Sequence, residues 1–190
     1  EMLGRSWEHV TRIADVVHDF LMLARNDDST SELIDVNELI VDASHTMRDA
    51  LRGGARLATS MDHLPPVLGN RARLSLVVTS LLFGLLEGGG VGGRRCSQLR
   101  IVSRKREDQV IIQLIGGGRR GDDRPPTQRD ARAMSANKGD DSPATWPGTF
   151  FARAAVADMG GTVSHSGARD QIMFELSLPA SHAPLPDTTD

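Results

Sequence analysis

Glycines, arginines and aspartates follow directly after an alternating apolar segment in residues 109–123, which read QVIIQLIGGGRRGDD. Glycines at the end of a strand allow a ligand to approach the backbone closely, and successive backbone N–H groups bind anions. Arg119 and Arg120 could neutralise phosphate, and the aspartates Asp122 and Asp123 carry the oxygen ligands that Mg2+ prefers. The pattern therefore indicates a nucleotide site, although a flexible turn with a solvated loop behind it has the same composition.

The following segment, residues 119–147, is rich in Pro, Gly, Asp and Arg and shows little apolar periodicity. A loop of this length inside a compact domain is usually functional or disordered. Trp146 could stack on a base or pack the end of the loop. The basic residues of the segment could neutralise bound phosphates, as phosphoryl transfer requires, or form a solvated face: Arg119, Arg120, Arg129, Arg132 and Lys138.

Composition restricts the class of protein. The 190 residues suffice for one domain with a core plus an appendage, and 39% hydrophobic with 25% charged residues is typical of a soluble globular protein. A net charge of -3 argues against a nucleic-acid binder. Cys96 is the only cysteine, which excludes an intrachain disulfide and fits a reducing cytoplasm. The apolar run within residues 74–86 is too short to span a bilayer. Because the sequence begins with Glu, we expect it to be part of a longer protein.

Three helices are predicted ahead of the central strands. The first covers residues 7–24, with apolar residues spaced three and four apart in a seam that favours pairing with another helix. The second runs from Asp35, an N-cap with Glu38 in capping-box position, to Gly53 and Gly54, and the third begins after Asn70. Their apolar faces consist of Val10, Ile13, Val17, Phe20 and Ala24; of Val36, Leu39, Ile40, Ala43, Met47, Ala50 and Leu51; and of Leu74, Val77, Val78, Leu81, Leu82 and Leu85.

The remaining pattern predicts strands around one more helix. Residues 55–61 alternate as a strand, residues 62–70 with two prolines form a turn, and residues 99–114 form a hairpin. A helix over residues 149–161 and a closing strand pair follow, and the tail after Pro179 is expected to be disordered. This order predicts an α+β fold: a two-layer α/β sandwich with a mixed, mostly antiparallel sheet, helices on one face, and an N-terminal helix appendage.

This order of elements resembles the C-terminal part of a sensor histidine kinase, over about residues 7–179. RIADVVHDFLMLAR is similar to the second dimerisation helix, and HLPPVLGNRARLSLVVTSLLFGLLEGGG resembles the segment that carries the N box. LRIVSRKREDQVIIQLIGGG resembles the strand pair that leads to the G1 box, and GTFFARAAVADMGGTVSHSG resembles the G2 helix with its glycine turn. The resemblance implies a second dimerisation helix over residues 1–30, an ATP-binding catalytic domain of the GHKL superfamily over residues 31–180, and a disordered tail over residues 181–190.

The resemblance also assigns site positions, at which most of the standard ligands are replaced. The asparagine pair that binds Mg2+ and phosphate falls on Ser80 and Gly84, and Glu87, one turn further along the helix, is the candidate metal ligand. The aspartate that accepts from the adenine amino group falls on Gly116. The remaining nucleotide-binding positions are Gly118 and Arg120 of the G1 box and Gly148 of the G2 box, with Lys138 as a phosphate contact from the loop.

The implied function is a cytoplasmic protein-histidine kinase with an atypical ATP site. It would bind ATP with Mg2+, transfer the γ-phosphoryl group to a histidine, and pass it to an aspartate of a response regulator. The acceptor histidine is expected on a helix outside this sequence, with His18 as the other candidate, and a homodimer is expected through the N-terminal helix. Contact with a membrane is expected only through an upstream region, and no nucleic acid is expected. The alternative is a pseudokinase scaffold that binds a response regulator without ATP; a GHKL protein such as an anti-sigma-factor kinase is disfavoured by the first helix.

Overall fold

The computed structural model describes residues 31–48, 50–88, 96–117, 147–168 and 171–183, with the backbone alone described at 52, 53, 87, 88, 147 and 168. The predicted N-terminal helix with His18, the segment 118–146 and residues 184–190 lie outside the described residues. Within them the chain forms the following elements: β1 (Glu32–Ile34), α1 (Val36–Met47), a 3-10 helix (Ala50–Gly53), β2 (Arg56–Met61), β3 (Val67–Gly69), α2 (Arg71–Gly88), β4 (Gln98–Arg106), β5 (Gln109–Gly117), α3 (Pro147–Asp158), β6 (Thr162–Ala168) and β7 (Gln171–Pro179).

A five-stranded sheet in the order β2-β4-β5-β7-β6 forms the frame of the domain. The β2–β4 pair is parallel, whereas β4–β5, β5–β7 and β6–β7 are antiparallel. The β4–β5 hairpin turns at Glu107, whose φ of 53° is the left-handed conformation that a tight turn requires. The predicted mixed, mostly antiparallel sheet is therefore confirmed.

The three helices cover one face of this sheet. In β4 the residues Leu99, Ile101 and Ser103 alternate as buried positions. All residues of β5 from Val110 to Gly117 are buried, and this strand lies between β4 and β7. The apolar stripe predicted for the third helix lies on α2 and is fully buried. The same face includes Phe174, Leu176 and Leu178 of β7, as predicted. The two-layer α+β architecture is confirmed.

The predicted second helix is too long. The helix α1 begins after Asp35, whose Oδ1 accepts hydrogen bonds from the N–H groups of Asn37 and Glu38 at 2.8 and 3.1 Å, but it ends at Met47 instead of Gly53. The Arg48 N–H donates to the His45 carbonyl at 3.1 Å, a tightened last turn, and the chain continues into the separate 3-10 helix.

Only one of the two hydrogen-bond interactions of the predicted capping box at Asp35 and Glu38 forms. The Asp35 cap forms, but the Glu38 carboxylate accepts from Arg71 Nη1 at 3.0 Å instead of from the cap residue. Asp42 Oδ2 accepts from Arg71 Nη2 at 2.8 Å, so the guanidinium joins α1 to the start of α2. Arg71, a distant residue in the sequence, therefore replaces the backbone of Asp35 as the hydrogen-bond partner of Glu38.

A second, two-stranded sheet was not predicted. The strand β1 begins at the end of the predicted polar connection, and β3 lies in the predicted turn. The two strands pair antiparallel, with Leu33 opposite Leu68. Ile34 and Val67 are buried, and Val67 also bridges to Ala180 while the Ser181 N–H donates to the Pro66 carbonyl at 2.7 Å. Strands of three residues are too short for an alternation to be detected, and the prolines are tolerated because they precede β3.

Candidate functional site

One flank of α2 carries the two positions that the sequence assigned to the N box. The helix begins after Asn70, whose Oδ1 accepts from the Arg73 N–H at 2.9 Å, as predicted. Its buried stripe fixes the rotation of the helix on the sheet, so Ser80 and Gly84, four residues apart, lie half-buried on the same flank. The position of Gly84 offers backbone only, and the side chain of Glu87 lies outside the described part of the chain.

The start of α3 lies against this flank. An ideal Cβ at Gly148 would lie 3.6 Å from Ser80 Cβ and 3.9 Å from the Ser80 carbonyl oxygen, so the structure brings these two predicted site residues together. The first backbone N–H groups of a helix have no partner within the helix and carry partial positive charge. Pro147 at the first position suits a helix start because it has no N–H to leave unpaired. A hydroxyl and a helix start therefore lie side by side.

The end of β5 lies under α2 at Gly116, the position at which the sequence analysis looked for a carboxylate. An ideal Cβ here would lie 2.9 Å from Leu85 Cβ and 3.0 Å from Leu85 Cδ2. Ordinary side-chain contacts do not come this close, so Gly116 is required by the packing of the strand against the helix. Leu85 had been predicted only as a core residue, and nothing in its spacing indicated this contact.

Cys96 connects three elements at the same place. Its Sγ accepts a hydrogen bond from the Gly117 N–H at 2.9 Å and donates to the Gln98 carbonyl at 2.8 Å, while the Cys96 N–H donates to the carbonyl of Leu86 in α2 at 3.3 Å. Gly117 has a φ of 116°, which other residues rarely adopt. Burial raises the pKa of the Cys96 thiol, against smaller opposing effects of the Gly117 and Gln98 hydrogen bonds. The sequence analysis had considered this cysteine only for disulfides and metals.

The described residues fit the parts of a nucleotide unequally. Ser80 and the start of α3 offer hydrogen-bond donors of the kind that bind phosphate. At Gly116 there is no acceptor for a base amino group, and no space for one. Among the described residues there is no group of three or more His, Cys, Asp or Glu side chains that could hold a metal ion. Gly118, Arg120 and Lys138 lie outside the described ranges, so their predicted contacts remain predictions.

No helix within the described ranges is long and apolar enough to cross a membrane. The four residues that meet at the contacts of α2 with α3 and with β5 are all uncharged: Ser80, Gly148, Leu85 and Gly116. Charge neutralisation of a phosphate would therefore have to come from residues other than these four.

Solved structures of histidine kinases share this fold. A scan against protein-family models and a search of curated proteins found no match. The catalytic domain of histidine kinase ThkA, in a nucleotide-free form, superposes with a TM-score of 0.58 at 18% identity, covering 79% of this chain and 95% of that domain. The Acinetobacter baumannii histidine kinase AdeS gives 0.62 at 19% identity, covering 96% of this chain and 86% of AdeS.

Two larger structures also match. ThkA in complex with the response regulator protein TrrA gives a TM-score of 0.64 at 16% identity, covering 92% of this chain and 49% of the ThkA chain. Full-length ShkA in complex with AMPPNP gives 0.61 at 19% identity, covering 91% of this chain and 37% of ShkA. At these identities the likeness establishes the fold: the domain has the fold of histidine kinase catalytic domains.

Proposed function

We propose that residues 31–180 form the ATP-binding catalytic domain of a histidine kinase, which transfers the γ-phosphoryl group of ATP to a histidine. The fold supports this proposal, and one observation carries it. Three positions that the resemblance assigned to the nucleotide site, Ser80, Gly116 and Gly148, lie on the flank of α2 or in direct contact with its residues.

Different residues of the chain are proposed to bind different parts of the nucleotide. The Ser80 hydroxyl and the first N–H groups of α3 donate to phosphate oxygens and orient the triphosphate. Leu85 packs over Gly116 and supplies an apolar wall at the strand end. Bound ATP supplies the phosphoryl group, and catalysis rests on positioning and charge neutralisation. Arg120 and Lys138 are proposed for that neutralisation, and Glu87 for the metal.

A response regulator is the proposed partner, since ThkA was solved in complex with TrrA, a response regulator protein. The regulator would receive the phosphoryl group on an aspartate. A homodimer through the N-terminal helix and a cytoplasmic location belong to the same proposal. The acceptor histidine is proposed to lie outside this sequence, with His18 as the other candidate.

Calorimetric titration of the chain with ATP and Mg2+, paired with an assay of ATP hydrolysis, tests this function. Ser80→Ala should weaken binding by about 0.5–1.5 kcal/mol, the worth of one hydrogen bond. Thr79→Ala is the matched control, because the Thr79 hydroxyl already donates to the Ser75 carbonyl within α2 at 2.8 Å and is not free for a ligand. Absence of binding at millimolar ATP would contradict the proposed kinase function.

A nucleotide-independent scaffold that binds a response regulator is the second candidate. The bare positions Gly84 and Gly116 favour it, because neither can supply the side-chain ligand expected there. The affinity of this scaffold for a response regulator would be the same in the presence and in the absence of ATP. This would hold for the phosphorylated and for the unphosphorylated regulator. A change in regulator affinity on adding ATP would exclude it.

A further inference from the structure

The five-stranded sheet has a second face, turned away from the three helices, which we call the outer face. Side chains alternate between the two faces along a strand, so the neighbours of the buried Leu99, Ile101 and Ser103 lie on the outer face. The strand register gives the residues of this face: Arg56, Ala58 and Ser60 of β2; Arg100, Val102, Arg104 and Arg106 of β4; Ile111, Gln113 and Ile115 of β5; Met173, Glu175 and Ser177 of β7; and Thr162, Ser164 and Ser166 of β6.

Four arginines form a row along the outer face. Arg100, Arg104 and Arg106 follow one another on β4, and Arg56 of β2 lies beside the start of that strand. The strand has nine residues, so the row extends over about 30 Å at roughly 3.3 Å per residue. Glu175 is the only acidic residue that the described strands place on this face. Because the whole chain has a net charge of -3, positive charge is concentrated here against the overall balance.

The single carboxylate of the outer face does not neutralise this row. Glu175 Oε2 accepts a hydrogen bond from Gln113 Nε2 at 2.7 Å and lies 3.9 Å from Arg104 Nη2, so it reaches one arginine. Arg56 and Arg106 are exposed and form no ion pair within the described ranges. Like charges close to one another repel, so the arrangement costs the isolated domain stability that a negatively charged partner would restore.

The apolar side chains of the outer face do not favour a lipid surface. Ile111, Ile115 and Met173 occupy its middle and are 1%, 6% and 6% exposed. Helices and surfaces that bind a bilayer insert exposed apolar side chains into it, and the described residues of this face offer none of large size. The face therefore presents charge and not apolar area to a partner.

A carboxylate-bearing protein segment fits the row better than a nucleic acid. Arginine binds both carboxylate and phosphate with its fork of N–H donors. Glu175 in the middle of the face would repel a phosphate backbone, and the chain lacks the basic excess typical of nucleic-acid binders. In an extended peptide, alternate side chains lie on one side about 7 Å apart, which is the spacing of Arg104 and Arg106 along β4.

We propose that the outer face binds an extended acidic protein segment that lies along β4. The arginine row provides the charged contacts, with Arg56 and Arg106 at its two ends. Electrostatic complementarity of this kind sets the association rate and the choice of partner, and it weakens as salt rises. The proposal does not depend on ATP, because the row lies on the face of the sheet opposite to the helices that carry Ser80 and Gly148.

Fluorescence anisotropy with a labelled peptide of about ten residues, in which glutamate and serine alternate, tests the proposal on the full chain. The peptide should bind at about 0.05 M salt and at least about tenfold more weakly at 0.5 M. The same peptide with glutamine in place of glutamate should not bind. Absence of binding by the glutamate peptide at low salt, or equal binding of the two peptides, overturns the proposal without any variant.

A pair of charge-reversal variants locates the binding face. Arg56→Glu with Arg106→Glu should lower the affinity for the glutamate peptide at least about tenfold, because two attractions become repulsions. The matched control is Arg48→Glu with Arg153→Glu, which changes the net charge by the same amount at exposed positions of the helical layer and should change the affinity less than about threefold. All four side chains are exposed, so circular dichroism should show the wild-type fold in both variants.

Three results of these measurements would contradict the proposal. An equal loss of affinity in the two double variants would show that net charge and not the outer face governs binding. Tighter binding of a thymidine oligonucleotide than of the glutamate peptide would make the face a nucleic-acid site. Tighter binding of phosphatidylserine vesicles would make it a membrane site.

Discussion

The two halves of the β4–β5 pair, the half near the hairpin turn with Ser103 and the half with Gly116, hold their helices by different means. In the half that we call the Ser103 end, the buried Ser103 hydroxyl donates to Asn37 Oδ1 of α1 at 2.8 Å, and Asn37 Nδ2 donates to the Asp62 carbonyl at 2.8 Å. At the Gly116 end, α2 is held by close approach of Leu85 to Gly116 and by the Cys96 hydrogen bonds.

The difference separates a structural junction from a candidate binding junction. The polar side chains of Ser103 and Asn37 already have partners within the protein, as buried structural polar groups usually do. At the Gly116 end the strand carries no side chain at residue 116 and contacts Leu85 of α2, while Ser80 of the same helix contacts Gly148 at the start of α3. Substitutions at the first end should therefore change stability alone, and substitutions at the second should change stability and nucleotide binding together.

The largest effect is expected for Gly116→Ala. The added methyl group would collide with Leu85, and overpacking of this kind costs about 1–3 kcal/mol. Gly148→Ala is the matched control, since its Cβ would meet Ser80 at an ordinary 3.6 Å and should leave the free energy of unfolding unchanged or slightly higher. Urea denaturation measures both. Equal stability of the two variants would show that the strand end is looser than the contact implies.

Cys96→Ala is expected to cost nearly as much. It leaves the Gly117 N–H buried without its acceptor, a loss of about 1–3 kcal/mol, whereas Cys96→Ser retains a group that both donates and accepts. The comparison of the two variants by urea denaturation isolates the hydrogen bond from the volume of the side chain. If the serine variant is as unstable as the alanine variant, packing of the sulfur and not its hydrogen bonding holds the Gly116 end.

Ser103→Ala tests the other end. Asn37 would lose its donor, but it is only half-buried, so water can partly replace the hydroxyl and the expected loss is about 1 kcal/mol. The affinity for ATP should stay at the wild-type value, because the Ser103–Ile112 pair lies in the other half of the strand pair from Leu99–Gly116. A lower affinity together with unchanged stability would contradict the separation of the two ends.

Arg71→Ala should have a smaller effect, about 0.2–1 kcal/mol, because its side chain is 33% exposed and its partners Glu38 and Asp42 are 64% and 61% exposed. Both pairs lie on the surface beside the Ser103 end. Salt at about 1 M should screen the pairs and bring the variant to the stability of the wild type. A stability difference that persists at high salt would indicate packing of the arginine stem instead.

The smallest effect concerns alkaline pH at the Gly116 end. Burial raises the pKa of the Cys96 thiol in the folded state, so the stability that this thiol contributes is fully present below its ordinary pKa of about 8.5. That contribution is lost as the pH rises through the folded pKa, because the unfolded chain releases the proton more readily. Above about pH 8.5 the free energy of unfolding should fall more steeply in the wild type than in Cys96→Ser, and parallel curves would contradict this expectation.

Local patterns predicted most of the frame correctly. Asp35 and Asn70 cap α1 and α2 as expected, and the stripe from Leu74 to Leu85 is buried as expected, because caps and helical periodicity depend on residues a few positions apart. Where the pattern was short or a distant partner competed, the predictions were wrong. The three-residue strands β1 and β3 were missed, and Glu38 turned from its cap to Arg71, which lies 33 positions away.

The sequence alone determined the α+β architecture, the order of its elements and the absence of a carboxylate at residue 116. Only the tertiary structure decided what surrounds that residue. It placed Leu85 against Gly116, brought Ser80 to Gly148, and joined Cys96 to Gly117, 21 positions away. The physical reason is that helices and strands arise from periodic local preferences, whereas contacts between elements depend on how two buried faces pack, and this packing leaves no period in the sequence.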